Sequence, residues 1–402
     1  MTTIADRGGR PRRPKDRKEQ LAAVAAKLFC ERGFHEVGIT DIAAAAGITG
    51  PALYRHFADK QAILAHVVAL AIDHLSAATT ALPDDTAVPA VEQVEAILTK
   101  LARVSVERPE ISALWRRERR NLRPEDQQSL RRRWSELIAS WARPLRAARP
   151  EVSEEDATML CWAALSVFGS VAVHSTRLSR RRHVELLVEA ARAVLHHTPA
   201  TGETDGFAGE PAPVMPVMQP SRREKLLIEA TRLFGERGFH EVSMEDIGAA
   251  AGISGPSVYR HFPSKTALFM AASARIHDRL ARGRDQVAAT AKTEREALEG
   301  LVRSYVQVMR DCADLLMIGR EIGALTAAER NELRRVQREY VAEWVRLLMA
   351  IRPDLVTPEA RVVVHMALTI ANDLVRTGSV RRRPDLESEL PALMLAALGI
   401  RR

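Results

Sequence analysis

Apolar residues recur along this chain at helical spacing, and they do so twice. Leu21, Val24, Leu28 and Phe29 form one stripe, and Gly33 follows where a helix can end in left-handed backbone. Leu226, Ala230, Leu233, Phe234 and Gly238 repeat the plan. A short second helix comes next, with Ile42 and Ala46 facing inward and Gly47 as its stop. In the second copy Ser243-Met-Glu-Asp246 has the form of a capping box, whereas the first has Gly38 there, a weaker cap. Thr49 then caps a third helix, and Pro51 sits in its first turn, where no intrahelical hydrogen bond is lost. Behind these segments, 65–197 and 270–402 read as helix throughout. Breaks fall at Pro83–Pro89, Pro109, Arg123-Pro124, Arg149-Pro150 and around Ser179, and no alternating strand run occurs. The pattern predicts an all-α protein.

The repetition is an internal duplication. Residues 18–64 align with 223–269 at a constant offset of 205, with 27 identities in 47 positions. The likeness continues more faintly at an offset of 203, where Trp141 matches Trp344 and Arg149-Pro150 matches Arg352-Pro353. Between the copies, residues 198–220 contain no Lys or Arg and are rich in Pro, Gly and acids, which marks a linker. A flexible linker of this length spans roughly 26 Å r.m.s.. The expected organisation is a basic arm over 1–16, a small domain over 17–64, a helical domain over 65–197, the linker, then 221–269 and 270–402 in the same order.

Composition narrows the class. At 46% apolar and 27% charged, the 402 residues suit a globular protein. No apolar run is expected to be long enough to span a bilayer, and the first residues lack the apolar core of a secretory signal, so a cytoplasmic location is expected. Cys30, Cys161 and Cys312 stand too far apart for a CxxC pair or a thiolate zinc site. His196 and His197 point about 100° apart on a helix, so no metal site is expected, and no cofactor. The net charge of +8 permits a polyanionic partner. Seven basic residues lie between 7 and 18 against Asp16 alone. They include Arg12, Arg13 and Lys15, and Gly8, Gly9, Pro11 and Pro14 keep most of the stretch from helix. This reads as a flexible basic arm reaching nucleic acid or as a solvating tail.

The chemistry sits in the third helix of each copy. A short helix, a tight turn with Gly and a second short helix of small outward residues make a helix-turn-helix. Gly50, Pro51 and Ala52, like Gly255, Pro256 and Ser257, let the helix N-terminus approach another surface. Tyr54, Arg55, His56 and Lys60, like Tyr259, Arg260, His261 and Lys265, can reach phosphates. The two lysines open the following helix, where a cation opposes the helix dipole and suggests a nearby anion. A solvated face explains any one of these residues alone, but not the set preserved twice.

At these residues, Gly-Phe, Asp-Ile-Ala, Ala-Gly-Ile, Tyr-x-x-Phe and Lys, the chain resembles the TetR family of bacterial repressors over 17–64 and 222–269. The tandem layout and the RPKDRK opening are similar to tandem-TetR repressors of mycobacterial lipid-import operons. The resemblance implies that Thr49, Pro51, Ala52 and Tyr54 lie along the DNA major groove, with Ser254, Pro256, Ser257 and Tyr259 as their counterparts. It implies phosphate contacts from Tyr54, His56, Lys60, Tyr259, His261 and Lys265, and from Ser243, whose counterpart Gly38 would lack one. It further implies an effector pocket and a helix pair that dimerises as a four-helix bundle, here about 154–176 with 183–197 and about 358–377 with 384–399. Pocket candidates are Trp115, Trp134, Met159, Trp162 and Phe168 in the first copy, and Met309, Met317, Tyr340, Trp344, Met366 and Asn372 in the second. Taken singly, bundle core is the favoured reading of each.

The arginine runs at 116–120, 131–133, 180–182 and 381–383 are expected on solvated faces. The partners expected are a double-stranded operator read as an imperfect palindrome and a small apolar or lipid-like effector. The two units should pair in cis, with a chain-swapped homodimer as the rival. An effector-independent architectural DNA binder is the alternative. No Gly-rich phosphate loop, HExxH or GxSxG motif points to an enzyme.

Overall fold

The computed structural model describes residues 14–80, 88–118, 121–199, 220–318 and 325–400, and among them there are helices and no strand. The first half comprises α1 (Pro14–Arg32), α2 (Ile39–Ala45), α3 (Gly50–Tyr54), α4 (Lys60–Thr80), α5 (Ala90–Glu107), α6 (Pro109–Glu118), α7 (Pro124–Ala148), α8 (Glu154–Gly169) and α9 (Arg180–Leu195). The second comprises α10 (Arg222–Arg237), α11 (Met244–Ala251), α12 (Gly255–His261), α13 (Lys265–Thr290), α14 (Glu294–Ile318), α15 (Ala327–Ile351), α16 (Thr357–Leu374), α17 (Gly378–Arg381) and α18 (Leu386–Ala397). Arg12 and Arg13 lie outside the described residues. Helix α1 already starts at Pro14, so Lys15 stands in its first turn and the expected arm is shorter than 16 residues. Proline at a helix start explains this, because its fixed φ suits the first turn and its missing N–H is not needed there.

Each front end packs three helices around one small core. Leu21, Ala25, Phe29, Ile42, Leu53 and Phe57 are buried in the first, and Leu226, Ala230, Phe234, Ile247, Val258 and Phe262 in the second. The glycines that end α1 and α10, Gly33 and Gly238, have φ of 87° and 88°, a region that disfavours any side chain. Helix α4 joins the front end to the helices behind it. Its Lys60–Thr79 stretch has a mean hydropathy of 1.6, long and apolar enough to cross a membrane. That corrects the expectation that no such segment exists. In this fold the apolar face of α4 is spent on α1, α5 and α7.

The back ends meet through α8 and α9 of the first half and α16 and α18 of the second, which form one four-helix bundle. The helix bounds differ from those expected: α8 ends at Gly169 rather than near 176, and α9 starts at Arg180 rather than 183, where Ser179 caps. The rim of the bundle is tied by near-symmetric pairs. Arg182 donates to Glu359 at 2.6 Å and Arg383 to Asp156 at 2.6 Å; the two carboxylates are counterparts at the offset of 203. Arg352 also reaches Glu189 at 3.1 Å, and His197 lies 2.7 Å from a Glu389 oxygen. The arginine runs are therefore not simply solvated faces. Arg116, Arg182 and Arg383 each carry a bond between halves, because the bundle brings an acidic side chain of the other half opposite each of them.

Candidate nucleic-acid interface and effector cavity

The third helix of each front end presents its polar residues outward. Tyr54 is 55% exposed and Tyr259 49%, large rings left in water while their neighbours Leu53 and Val258 are buried. Thr49, Pro51 and Arg55, with Ser254, Pro256 and Arg260, are exposed as well, and Gly50, Ala52, His56, Gly255, Ser257 and His261 are half-buried. The hydroxyls at the two helix starts are distinctive. Ser153, Ser179, Ser221, Ser243, Ser264 and Thr326 all accept a backbone N–H of the helix they cap. Thr49 and Ser254 make no such bond, although their backbone has the same extended geometry. Ser254 Oγ instead lies 2.9 Å from Ser257 Oγ. These outward hydroxyls can serve an external acceptor or donor.

The two lysines expected to reach phosphates are held by backbone carbonyls in the free protein. Lys60 Nζ donates to the Phe34 carbonyl at 2.9 Å and sits 4.3 Å from the Phe34 ring centre. Lys265 Nζ donates to the carbonyls of Phe239 and Val242, both at 2.8 Å, and lies 4.5 Å from the Phe239 ring. Burial holds both ammonium groups below their ordinary pKa. The anion suggested by a cation at a helix N-terminus is thus a set of carbonyl oxygens on the preceding turn. Ser243 is likewise committed. Its Oγ accepts the Asp246 N–H at 3.0 Å and donates to Asp246 Oδ2 at 2.7 Å, so its proton is not free for phosphate. In the first copy Gly38 keeps half of this box, its N–H donating to Asp41 Oδ2 at 2.7 Å.

Cations that sequence reasoning did not single out stand beside the third helices. Lys18 lies 5.1 Å from the Phe57 ring and Arg223 4.8 Å from the Phe262 ring, counterparts at the offset of 205. The two front ends touch through another equivalent pair: the His35 and His240 rings stack at 4.3 Å, 31° apart. Burial, then the neighbouring His35 and Lys265, hold His240 below the usual imidazole pKa. The repeat of Gly-Phe-His in both copies was the signal available for this contact.

The first front end is gripped by the back end at three points. The Phe34 N–H donates to Glu118 Oε1 at 3.2 Å, His35 Nε2 lies 2.9 Å from Asn121 Oδ1, and Arg123 pairs with Asp59 and donates to Gln61 at 3.1 Å. Two residues before Glu118, Arg116 enters a cavity of about 70 Å³ lined by Leu75, Trp134, Trp162, Leu165, Asp373 and Arg376. Of the expected pocket residues, the fold brings Trp134 and Trp162 together there, ring centres 6.0 Å apart. Met159 and Phe168 are buried in the bundle, Phe168 stacked on Trp141. In the second half Met309, Trp344 and Met366 are fully buried, and Tyr340 packs on Trp344 and Tyr305. Asn372 accepts the Tyr305 hydroxyl at 3.0 Å. The side chains of Trp115 and Met317 lie outside the described residues. Sequence reasoning marked Asp373 as a polar residue in an apolar helix and put Arg116 in a solvated arginine run, but did not pair the two; the signal available was that both stand where the two copies differ. Among the described residues no three His, Cys, Asp or Glu side chains gather as a metal site.

Over 84 residues the chain is 38% identical to the HTH-type transcriptional activator FasR of Mycolicibacterium smegmatis, covering 21% of this chain and 38% of FasR. Over 131 residues it is 32% identical to the HTH-type transcriptional repressor KstR2 of Rhodococcus jostii, covering 32% of this chain and 64% of KstR2. The chain thus spans less than two thirds of either relative. The solved structure of the regulator PfmR from Thermus thermophilus aligns with 24% identity over 45% of this chain and 99% of its own, with a TM-score of 0.39. Residues 21–67 and 226–272 match the family model for bacterial regulatory proteins of the tetR family. One chain therefore carries two TetR-family domains in tandem, each with its helix-turn-helix facing outward.

Proposed function

We propose that the protein is a sequence-specific DNA-binding transcriptional regulator, a repressor that leaves its operator when a small apolar or lipid-like ligand enters the first half. The observation that carries this reading is the twofold occurrence of an exposed tyrosine beside an N-cap hydroxyl that does not cap, on helices whose other faces are buried. The tandem layout, similar to that of repressors of lipid-import operons, supports lipid handling as one of the processes it controls. One chain acts as a cis pseudo-dimer. The cross-half ion pairs and the His35–His240 stack support this arrangement, and tethering raises the effective concentration of each unit for the other to roughly millimolar. The third helices then read two half-sites about one DNA turn, roughly 34 Å, apart. Their outward residues differ at Thr49 and Ala52 against Ser254 and Ser257, so the operator is an imperfect palindrome with a preferred orientation. Coupling to the ligand runs through α6, which presents Arg116 to the cavity and Glu118 to the turn at Phe34.

Footprinting on DNA upstream of the gene and its neighbours tests the proposal. One protected imperfect palindrome is expected, bound by a particle of 44.5 kDa in light scattering. Binding no tighter than about tenfold over random DNA would refute specific regulation, since specific binders exceed nonspecific binding by roughly a thousandfold or more. A free-protein mass of twice 44.5 kDa at micromolar concentration would replace the cis arrangement with the chain-swapped one.

A further inference from the structure

The cavity of the first half is walled by both halves. Leu75, Trp134, Trp162 and Leu165 form its apolar side, and Arg116, Asp373 and Arg376 its charged end, the last two from the second half. The Arg116 side chain is only 8% exposed, and its guanidinium is hydrogen-bonded to the Asp373 carboxylate across the boundary. Gly169 makes this possible, because a Cβ there would come within 2.7 Å of the guanidinium. At the offset of 203 the counterparts of Arg116 and Gly169 are Gly319 and Asn372, so the arginine and its clearance occur together in the first half only.

A buried ion pair adds little stability over two apolar residues of the same size, which suits Arg116 and Asp373 to exchange rather than to support. We propose that this cavity takes an organic monoanion, an apolar body lying against Trp134 and Trp162 with a terminal carboxylate that replaces Asp373 on Arg116. The inference rests on the ligand-responsive reading above and gives that ligand its chemical class. A guanidinium can donate to either carboxylate, so Arg116 is not left unpaired in the exchange. Arg376 stands three residues beyond Asp373 and lines the same cavity. The volume of about 70 Å³ holds a carboxylate but not a ligand body, since ligand sites run to roughly 300 Å³ or more. Entry therefore requires the Arg116–Asp373 bridge to open, and ligand binding and loss of this one contact between halves are one event.

Calorimetry on the full chain tests this, with dodecanoate and 2-naphthoate against dodecanol and 2-naphthol. At least one carboxylate should bind at one site per chain, about tenfold or more tighter than its alcohol, the ratio expected for a hydrogen bond to a charged group. Asp373→Asn should tighten carboxylate binding by removing the internal competitor. Arg116→Gln leaves Asp373 buried without its cation and can unfold the chain, so the double variant Arg116→Gln/Asp373→Asn, checked by its melting curve, is the decisive one. It should lose the preference for carboxylate over alcohol. The proposal is overturned if neither carboxylate binds, if alcohol and carboxylate bind alike, or if the double variant keeps the preference. A gel shift of the wild-type chain without ligand separates the two readings: DNA binding with no carboxylate preference removes only this inference, and a preference without DNA binding removes only the regulator.

Discussion

The two halves keep one front end and two different interiors. In front, the lysine clamp, the exposed tyrosine and the uncapped hydroxyl recur at the same offset. Behind, Pro109 separates α5 from α6 in the first half, whereas the second has Cys312 at the matching place and α14 runs unbroken from Glu294 to Ile318. Proline cannot donate its N–H and pushes the residue before it out of helix, so one substitution frees the short helix that carries Arg116 and Glu118. The second interior is closed instead. The rings of Tyr305, Tyr340 and Trp344 pack within 6.2 Å of one another, and Asn372 takes up the Tyr305 hydroxyl. A surface that meets the same rigid partner twice constrains each residue, while a core accepts any combination of suitable volume. The duplication could thus drift toward one interior that opens and one that does not.

The largest expected effect tests whether the interiors differ in packing at all. Trp141 and Trp344 are counterparts and both fully buried. Truncating either to Ala should cost about 3–5 kcal/mol in denaturant unfolding, with the larger loss at Trp344, which holds two tyrosine rings. Equal costs would weaken the contrast between a filled and an open interior. Next, Asn372→Ala strands the Tyr305 hydroxyl and should cost about 1–3 kcal/mol. Its counterpart change, Gly169→Ala, should instead act on the Arg116–Asp373 bridge and alter ligand response. A silent Asn372→Ala would mean that the second interior is wet.

On the DNA side, Tyr54→Ala and Tyr259→Ala should each weaken operator binding about tenfold, losing protection on opposite half-sites. Loss on the same half-site would break the cis arrangement. Acid should loosen both halves. Burial lowers the pKa of His66 and His183 in the first and of His240 and His277 in the second. Below the unfolded value of about 6.5 the unfolded chain binds more protons, so stability rises with pH through this range and is flat above it. The melting temperature should be lower at pH 5.5 than at 7.5, since these four buried imidazoles are held neutral in the fold. A melting temperature independent of pH would leave these imidazoles without a role in stability.

The duplication, the helix-turn-helix and the helices of the bundle were legible because period, caps and breakers are local signals. Gly33 and Pro109 act on their own neighbours, and the chain announces them. The carbonyl partners of the lysines were not legible, because a cation at a helix start says that an anion or dipole is near, not which one; carbonyls of Phe34 and Phe239 come from 26 residues away. Asn372 looked like a polar group awaiting a ligand, and its partner Tyr305 is 67 residues distant. Arg116 and Asp373 are separated by 257 positions, and no periodicity pairs them. What sequence did offer was their placement where two otherwise matching copies disagree.

The smallest expected effect bears on the one place where the front ends themselves disagree in their caps. Gly38 and Ser243 are counterparts at the start of α2 and α11, both extended, and both helices carry the acidic residue three positions on. Gly38→Ser should add the missing acceptor for the Asp41 N–H and stabilise the first front end by a few tenths of a kcal/mol, the usual difference between glycine and serine at an N-cap. The gain is held down because a Cβ there meets Asp41 Oδ2 at 3.2 Å and Thr40 Oγ1 at 3.3 Å, and both must shift slightly. Ser243→Gly should lose a similar amount from the second, and the double exchange should return the chain to its original melting temperature. DNA binding decides what the hydroxyl is for. Since Ser243 Oγ already donates to Asp246, none of these variants should change operator affinity by more than about twofold, well below the loss of a charged hydrogen bond. If Ser243→Gly weakens binding about tenfold and Gly38→Ser strengthens it, the serine proton turns from Asp246 to a phosphate in the complex, and the front ends are unequal on DNA as well as behind it.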